Sequence, residues 1–212
     1  MLFVVGSGTM LELRQMRILF ATGNENKITE AREVLGPLGH SVEGLVINGL
    51  RPNFDEPKHL GLDGVAESKI SQAMELIQGS ELESSAILVE DSGIFLDAFP
   101  EWPGAESSDV EKEIGLEGII EKVKHSGIYG AEYRAVAILS DGKQAWKSQG
   151  VCRGKISDRP RGSSGFGYDP IFIPEEGDGG TFGELGNEIK NQISHRKKAM
   201  LGLSNLLKSP SK

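Results

Sequence analysis

The sequence predicts an α/β protein in which helices flank a mixed β-sheet. Residues 86–89 form an unbroken apolar run, which is typical of a strand buried on both faces. Residues 17–35 read as a strand, a polar loop and a helix. Residues 132–139 and 143–152 flank Asp141-Gly142, which favours a hairpin and therefore antiparallel pairing. The hairpin makes the predicted sheet mixed rather than purely parallel.

Composition places the chain among ordinary globular proteins, because 38% of its 212 residues are hydrophobic and 25% are charged. The net charge of -8 argues against a general nucleic-acid or membrane-surface binder, so we expect neither as a partner and any phosphate site to be local. The lone Cys152 excludes an internal disulfide and fits a reducing, cytoplasmic setting.

The domain prediction is an N-terminal extension over residues 1–15 followed by one compact domain over 16–212. Met16 directly precedes the first strong strand, so the extension is interpreted as the product of an upstream start codon. Its opening lacks the basic segment of a signal peptide. The chain has no apolar run near the roughly 18 residues of a membrane span.

The loop after the first strand is a candidate phosphate site. It reads Thr22, Gly23, Asn24, Glu25, Asn26 and Lys27, and a helix with Ile28 and Ala31 on its apolar side follows. A helix N-terminus offers free backbone N–H groups and the positive end of a dipole, both of which suit phosphate. Alternatively, Thr22 or Asn24 merely caps the helix.

The next segments predict a strand at 41–47, a loop with Asp55 and Glu56, and a helix at 65–77. On that helix Ala66, Ala73 and Ile77 point inward, whereas Lys69 lies off the apolar stripe, available to a cleft or solvated. Residues 99–104 predict a rigid loop, and residues 109–123 have helical spacing.

Residues 85–96 carry the strongest chemical signal. The buried strand is expected to end at Glu90 and Asp91, with Ser92 and Gly93 forming a tight turn. Two adjacent carboxylates at the end of an apolar strand either reach solvent, share a proton or hold a cation. A solvated pair and a Mg²⁺ site are therefore both open.

Two later segments add aromatic and basic side chains. Phe166 and Tyr168 either stack on a flat ring or pack in the core. A single helix is predicted over 187–207, with Ile189 and Ile193 in its buried stripe. Its basic residues form either a solvated face or a polyphosphate and base site: Lys190, His195, Arg196, Lys197 and Lys198.

Four segments occur in the order found in the inosine/xanthosine triphosphate pyrophosphatase family. They read Phe20-Ala-Thr-Gly-Asn-Glu-Asn-Lys27, Val89-Glu-Asp-Ser-Gly93, Gly165-Phe-Gly-Tyr-Asp-Pro170 and Ile193-Ser-His-Arg196. The sequence resembles that family over about residues 16–207, and most closely its archaeal members. The resemblance implies an elongated mixed sheet in two lobes with the active-site cleft between them. It also implies a homodimer that uses Mg²⁺ to hydrolyse ITP, dITP or XTP to the monophosphate and pyrophosphate.

The resemblance also implies roles for individual residues. Asp91 would hold Mg²⁺ and accept the proton of the attacking water, with Glu90 and Glu56 as further candidate metal ligands. The loop 22–27 would bind the triphosphate. The remaining nucleotide contacts would come from Ser92, Phe166, Gly167, Tyr168, Asp169, Lys190, His195 and Arg196.

The chain departs from the family pattern at Glu106, where members usually carry a tyrosine, and in the order of the residues around Glu56. The first departure leaves a substrate or interface contact open. It also leaves open a nucleotide-binding sensor without turnover. A separate alternative is a related pyrophosphatase that acts on pyrimidine or modified nucleotides.

Overall fold

The computed structural model describes residues 15–208, so the first 14 residues of the predicted extension lie outside it. The strands are β1 (Arg17–Phe20), β2 (Ser41–Gly44), β3 (Ala86–Leu96), β4 (Phe99–Pro103), β5 (Gly130–Ser140), β6 (Ala145–Ile156) and β7 (Phe172–Pro174). The α-helices are α1 (Glu25–Leu35), α2 (Gly61–Ile77), α3 (Ser107–Ser126), α4 (Phe182–Ile193) and α5 (His195–Lys208).

All described strands belong to one mixed sheet with the order β2-β1-β3-β5-β6-β7, and β4 pairs with β3 beside this path. The first three neighbours are parallel, whereas β3, β5, β6 and β7 pair in antiparallel fashion. The predicted mixed α/β class and the hairpin around Asp141-Gly142 are therefore confirmed.

Three hydrophobic clusters divide the molecule into two lobes. In the first lobe, one cluster joins Ile28 of α1 and Met200 of α5 to the sheet, and a second joins Ala66 of α2 to Ile87. The third cluster forms the other lobe, where Val110 of α3 and Phe182 of α4 pack near the far ends of β3, β5 and β6. The cleft between the lobes contains the candidate site.

The predicted turn after Asp91 is wrong, because β3 continues to Leu96. Ser92 and Gly93 pair with Ala135 and Arg134 of β5 rather than forming a bend. Gly93 is required for a different reason: a Cβ placed there would lie 2.0 Å from the Gly104 carbonyl oxygen. The glycine allows close backbone packing against the segment that precedes α3.

The single helix predicted at 187–207 is also wrong. Residues 182–193 form α4, which begins with a capping box between Thr181 and Glu184. Ser194 is extended (φ −65°, ψ 153°) and α5 begins at His195. Gly186 within α4 also departs from helical geometry (φ 76°, ψ 169°), and Ile189 is 44% exposed instead of buried.

Smaller boundary differences follow from tertiary packing. The strand predicted at 41–47 ends at Gly44, and the helix predicted at 65–77 begins four residues earlier, at Gly61. The predicted loop at 99–104 contains β4, whose pairing with β3 supplies its backbone hydrogen bonds. Across residues 15–208, no helix combines the length and apolar character needed to cross a membrane.

Candidate active site

The loop between β1 and α1 forms one wall of the cleft. Asn24 caps α1, because its Oδ1 accepts a hydrogen bond from the Asn26 N–H at 2.9 Å, and Thr22 Oγ1 accepts one from the Asn24 N–H at 3.1 Å. Capping does not exclude the phosphate role, since Thr22, Gly23, Asn24 and Lys27 all line the cleft. Exposed Glu25 forms an ion pair with Arg51 on the rim.

Glu90 and Asp91 point to opposite faces of β3, because successive side chains alternate along a strand. Glu90 is 2% exposed and meets Lys27 at 2.6 Å and Arg196 at 3.2 Å. Burial alone would raise the pKa of Glu90, but Arg196 and Lys27 outweigh it and hold that pKa well below its ordinary value. Glu90 is thus an ionised anchor for two cations.

Arg196 joins α5 to α1 and β3 through this buried network. Its guanidinium is 1% exposed and donates to Glu30 at 3.0 Å, to Glu90 at 3.2 Å and to the Ser92 hydroxyl at 3.4 Å. These three contacts engage three of the five N–H donors of the guanidinium. The network fixes Arg196 at the floor of the cleft.

Asp91 faces the other side of β3 and the open cleft. Lys69 of α2 lies 3.4 Å from its carboxylate and 2.5 Å from that of Glu56. Burial is the main cause that raises the pKa of Asp91 to about 6, since it exceeds the opposing effects of Lys69 and Lys27. Asp91 and Glu56 are therefore two clustered carboxylates with one intervening ammonium group.

The aromatic part of the site comes from the segment before β7 and from α4. Lys190 is buried against Asp169, with 2.5 Å between its Nζ and Oδ2, and lies 4.5 Å from the centroid of the Phe166 ring. Asp169 also accepts from the Phe166 backbone N–H at 2.8 Å. Phe166 is 43% exposed and is available for stacking, whereas Tyr168 is buried and donates to the Ser107 carbonyl.

His195 begins α5 at the back of this pocket. Its ring stacks on Tyr133 with 4.5 Å between centroids, and its Nδ1 is buried without a hydrogen-bond partner among the described residues. Burial, reinforced by Arg196, lowers the pKa of His195 well below its ordinary value, so the imidazole is neutral. Gly150 permits this placement, because a Cβ there would lie 2.0 Å from the His195 carbonyl oxygen.

These side chains line two adjoining cavities. The outer cleft has a volume of about 530 Å³, and its polar wall includes Thr22, Gly23, Asn24, Lys27, Glu56, Lys69 and Asp91. The inner pocket has a volume of about 130 Å³ and is lined by Gly167, Tyr168, Asp169, Lys190 and His195, among others. Ser92, Ser108, Phe166 and Arg196 line both cavities, so one opens into the other.

Most of the predicted site residues therefore converge, with three exceptions. Asn26 lines neither cavity. Glu90 lies beneath the cleft rather than in it, and Glu25 lies on the rim. Glu106 is exposed and lines a separate groove with Leu60 and Trp102.

Sequence reasoning missed Glu30 and left Lys69 open between a cleft and solvent. The sequence signal for Glu30 is its spacing, because it follows Lys27 by three positions and so lies on the same helical face. The signal for Lys69 is its position off the apolar stripe of its helix.

The chain is similar in sequence to known proteins over most of its length. A sequence model of the Ham1 family matches residues 18–206. A dITP/XTP pyrophosphatase of Methanopyrus kandleri is 40% identical over 87% of this chain and 93% of the relative. One of Pyrococcus horikoshii is 38% identical over 91% and 97%.

Solved structures agree as well. A HAM1 protein from Coxiella burnetii superimposes with a TM-score of 0.73 at 26% identity, covering 91% of this chain and 98% of that one. The Staphylococcus aureus Ham1 protein gives 0.72 at 27% identity, with coverages of 91% and 96%. The resemblance found in the sequence is confirmed, and the chain belongs to the Ham1 family.

Proposed function

We propose that this protein hydrolyses deaminated purine nucleoside triphosphates, namely ITP, dITP and XTP, to the monophosphate and pyrophosphate. One observation carries the proposal: a cleft lined by Lys27, Lys69 and Asp91 opens into a pocket lined by Phe166 and Lys190. The first cavity suits a triphosphate and the second a flat base. The names of the archaeal relatives support the same substrates.

We further propose that Mg²⁺ is the cofactor and that Asp91 and Glu56 hold it. No cluster of three or more candidate ligands occurs within residues 15–208, but Mg²⁺ commonly uses one or two carboxylates together with substrate phosphates. The raised pKa of Asp91 also supports a metal site. Burial destabilises the ionised form of this carboxylate, and a bound cation would stabilise that form. Glu90, already paired with Lys27 and Arg196, is the weaker candidate ligand.

The chemistry follows from the charges around the phosphates. When bound, Mg²⁺ would neutralise phosphate oxygens and acidify water. Asp91 would orient the attacking water and accept its proton. Lys27 and Lys69 would stabilise the negative charge that accumulates on the pyrophosphate leaving group, which is the largest requirement of phosphoryl transfer.

Base recognition would use the donors around the inner pocket. A 6-oxo purine presents an acceptor where adenine presents an amino donor. Arg196 carries only donors, and neutral His195 has one N–H to offer and an unpartnered Nδ1. An adenine amino group facing these donors would leave buried groups unpaired, which disfavours ATP by up to about 10⁴-fold.

A pyrophosphate-release assay tests the proposed function. Purified protein with Mg²⁺ should release pyrophosphate from ITP, dITP and XTP much faster than from ATP or pyrimidine triphosphates, and a chelator should stop the reaction. Tight binding of ITP without release would establish the nucleotide sensor instead. Preference for another nucleotide in the panel would establish the pyrophosphatase for modified nucleotides.

Two properties of the protein in the cell complete the proposal. We propose a homodimer, to be checked by light scattering on the purified protein, and a cytoplasmic location, which accords with a buried, unpaired Cys152. Burial raises the pKa of the Cys152 thiol to about 11, so it remains a protonated structural side chain.

A further inference from the structure

One carboxylate in the inner pocket has no role in the mechanism above. Glu111 of α3 lines that pocket but not the outer cleft. Within residues 15–208 its carboxylate forms no ion pair or direct hydrogen bond. A ligand that filled the pocket would bury Glu111 further, and a buried carboxylate needs such a partner.

Its position is on the base side of the site. Glu111 Oε2 lies 3.5 Å from the position that a Cβ on Gly167 would occupy, and Gly167 lies between Phe166 and Tyr168 on the pocket wall. Burial, followed by the nearby Asp169 carboxylate, raises the pKa of Glu111, and exposed Lys112 opposes this only in part. The cations around Glu111 therefore do not offset the burial of its negative charge.

We propose that Glu111 determines the preference among deaminated purines, by accepting a hydrogen bond from the base and opposing a carbonyl group at C2. This inference rests on the proposed function, because it assumes that the inner pocket receives the base. Glu111 would contact only the base and so affect substrate selection, whereas the residues of the outer cleft would contact the reacting phosphates.

The chemistry of the two bases gives the direction of the preference. An ionised carboxylate only accepts hydrogen bonds. Hypoxanthine offers the N1–H donor and has only hydrogen at C2, whereas xanthine carries a carbonyl oxygen at C2. A carboxylate facing that oxygen places two acceptors together with no proton between them, which is repulsive in a partly dry pocket. ITP and dITP should therefore be better substrates than XTP.

The test compares Glu111→Gln with Glu113→Gln, an exposed position two residues away on the same helix that lines neither cavity. Both variants remove one negative charge, but only the first places an amide donor in the pocket. Values of kcat/KM are measured for ITP, dITP and XTP. In Glu111→Gln the XTP-to-ITP ratio should rise about tenfold, with the dITP-to-ITP ratio unchanged. In Glu113→Gln both ratios should match the wild type.

Binding of the products IMP and XMP, measured by calorimetry, gives a second readout that does not require turnover. If the wild type releases no pyrophosphate, the proposed function fails, and the XMP-to-IMP affinity ratio still tests Glu111. An unchanged ratio in the Glu111 variant overturns the inference. A change confined to dITP against ITP also overturns it, because Glu111 would then contact the sugar. Should Glu111→Gln not fold, Glu111→Ser gives the same comparison.

Discussion

Replacing Glu90 with glutamine tests whether the buried charges hold α1 and α5 against β3. Glu90 meets Lys27 at 2.6 Å and Arg196 at 3.2 Å, and both contacts are shielded from water. At an effective dielectric constant of about 20, each attraction is roughly 5 to 6 kcal/mol before desolvation is subtracted. Breaking a buried pair while its partner stays buried costs about 3 to 5 kcal/mol. We therefore expect Glu90→Gln to lower the melting temperature by roughly 6 to 20 °C.

The control is Glu43→Gln, which breaks the Arg17–Glu43 pair. That pair has the same 2.6 Å separation, but its side chains are 51% and 49% exposed. Exposed pairs contribute about 0 to 1 kcal/mol. The free energy of unfolding of each variant is measured in urea with a chelator present, so that metal binding does not contribute to the difference. If both substitutions lower the free energy of unfolding equally, the buried network does not stabilise the fold as argued.

The effect of Glu90 should also depend on pH in a defined direction. Its pKa is lower in the folded state than in the unfolded state, near 4.5. Its stabilising contribution is therefore complete above about pH 4.5 and is lost as the pH falls toward the folded-state value. The stability difference between wild type and Glu90→Gln should narrow below pH 4.5 and stay constant above it.

Three further substitutions test the remaining parts of the site and the fold. Asp91→Asn should lower kcat by at least about 10³-fold while nucleotide binding persists, because it removes the proposed proton acceptor. Phe166→Ala should raise KM for ITP about tenfold or more through lost stacking, with little change in melting temperature, since the ring is 43% exposed. Gly93→Ala should destabilise the protein by about 1 to 3 kcal/mol or more, because its Cβ would collide with the Gly104 carbonyl.

Each of these substitutions has its own control and contrary outcome. Near-normal kcat in Asp91→Asn would remove Asp91 from the mechanism. Phe166→Tyr should retain a low KM, and equal KM values for the alanine and tyrosine variants would exclude stacking. Gly36→Ala should not destabilise the protein, because Gly36 has helical backbone angles and no atom within 4 Å of an added Cβ. A melting temperature for Gly93→Ala that matches Gly36→Ala would contradict the close packing.

Local sequence patterns predicted the elements of the fold well where one physical signal dominated. The apolar run before Glu90 and the Asp141-Gly142 hairpin have strong periodicity and turn chemistry, and both were found. Boundaries failed where tertiary packing reversed a local preference. Ser92-Gly93 favours a turn in isolation, yet ten residue pairs with β5 and the approach of Gly104 keep β3 extended.

By itself, the sequence determined the mixed α/β class and the family, and it identified most of the residues that line the two cavities. These follow from the order of the motifs and from the chemistry of the residues, both of which can be recognised without knowing the distances between residues in the folded protein. Only the tertiary structure decided what each charge contacts. Glu90 and Asp91 are adjacent in the chain, but strand alternation gives Glu90 to Arg196, 106 residues away, and Asp91 to the open cleft. Burial and partners, which local sequence does not specify, distinguish a carboxylate that is buried between two cations from one that faces the open cleft.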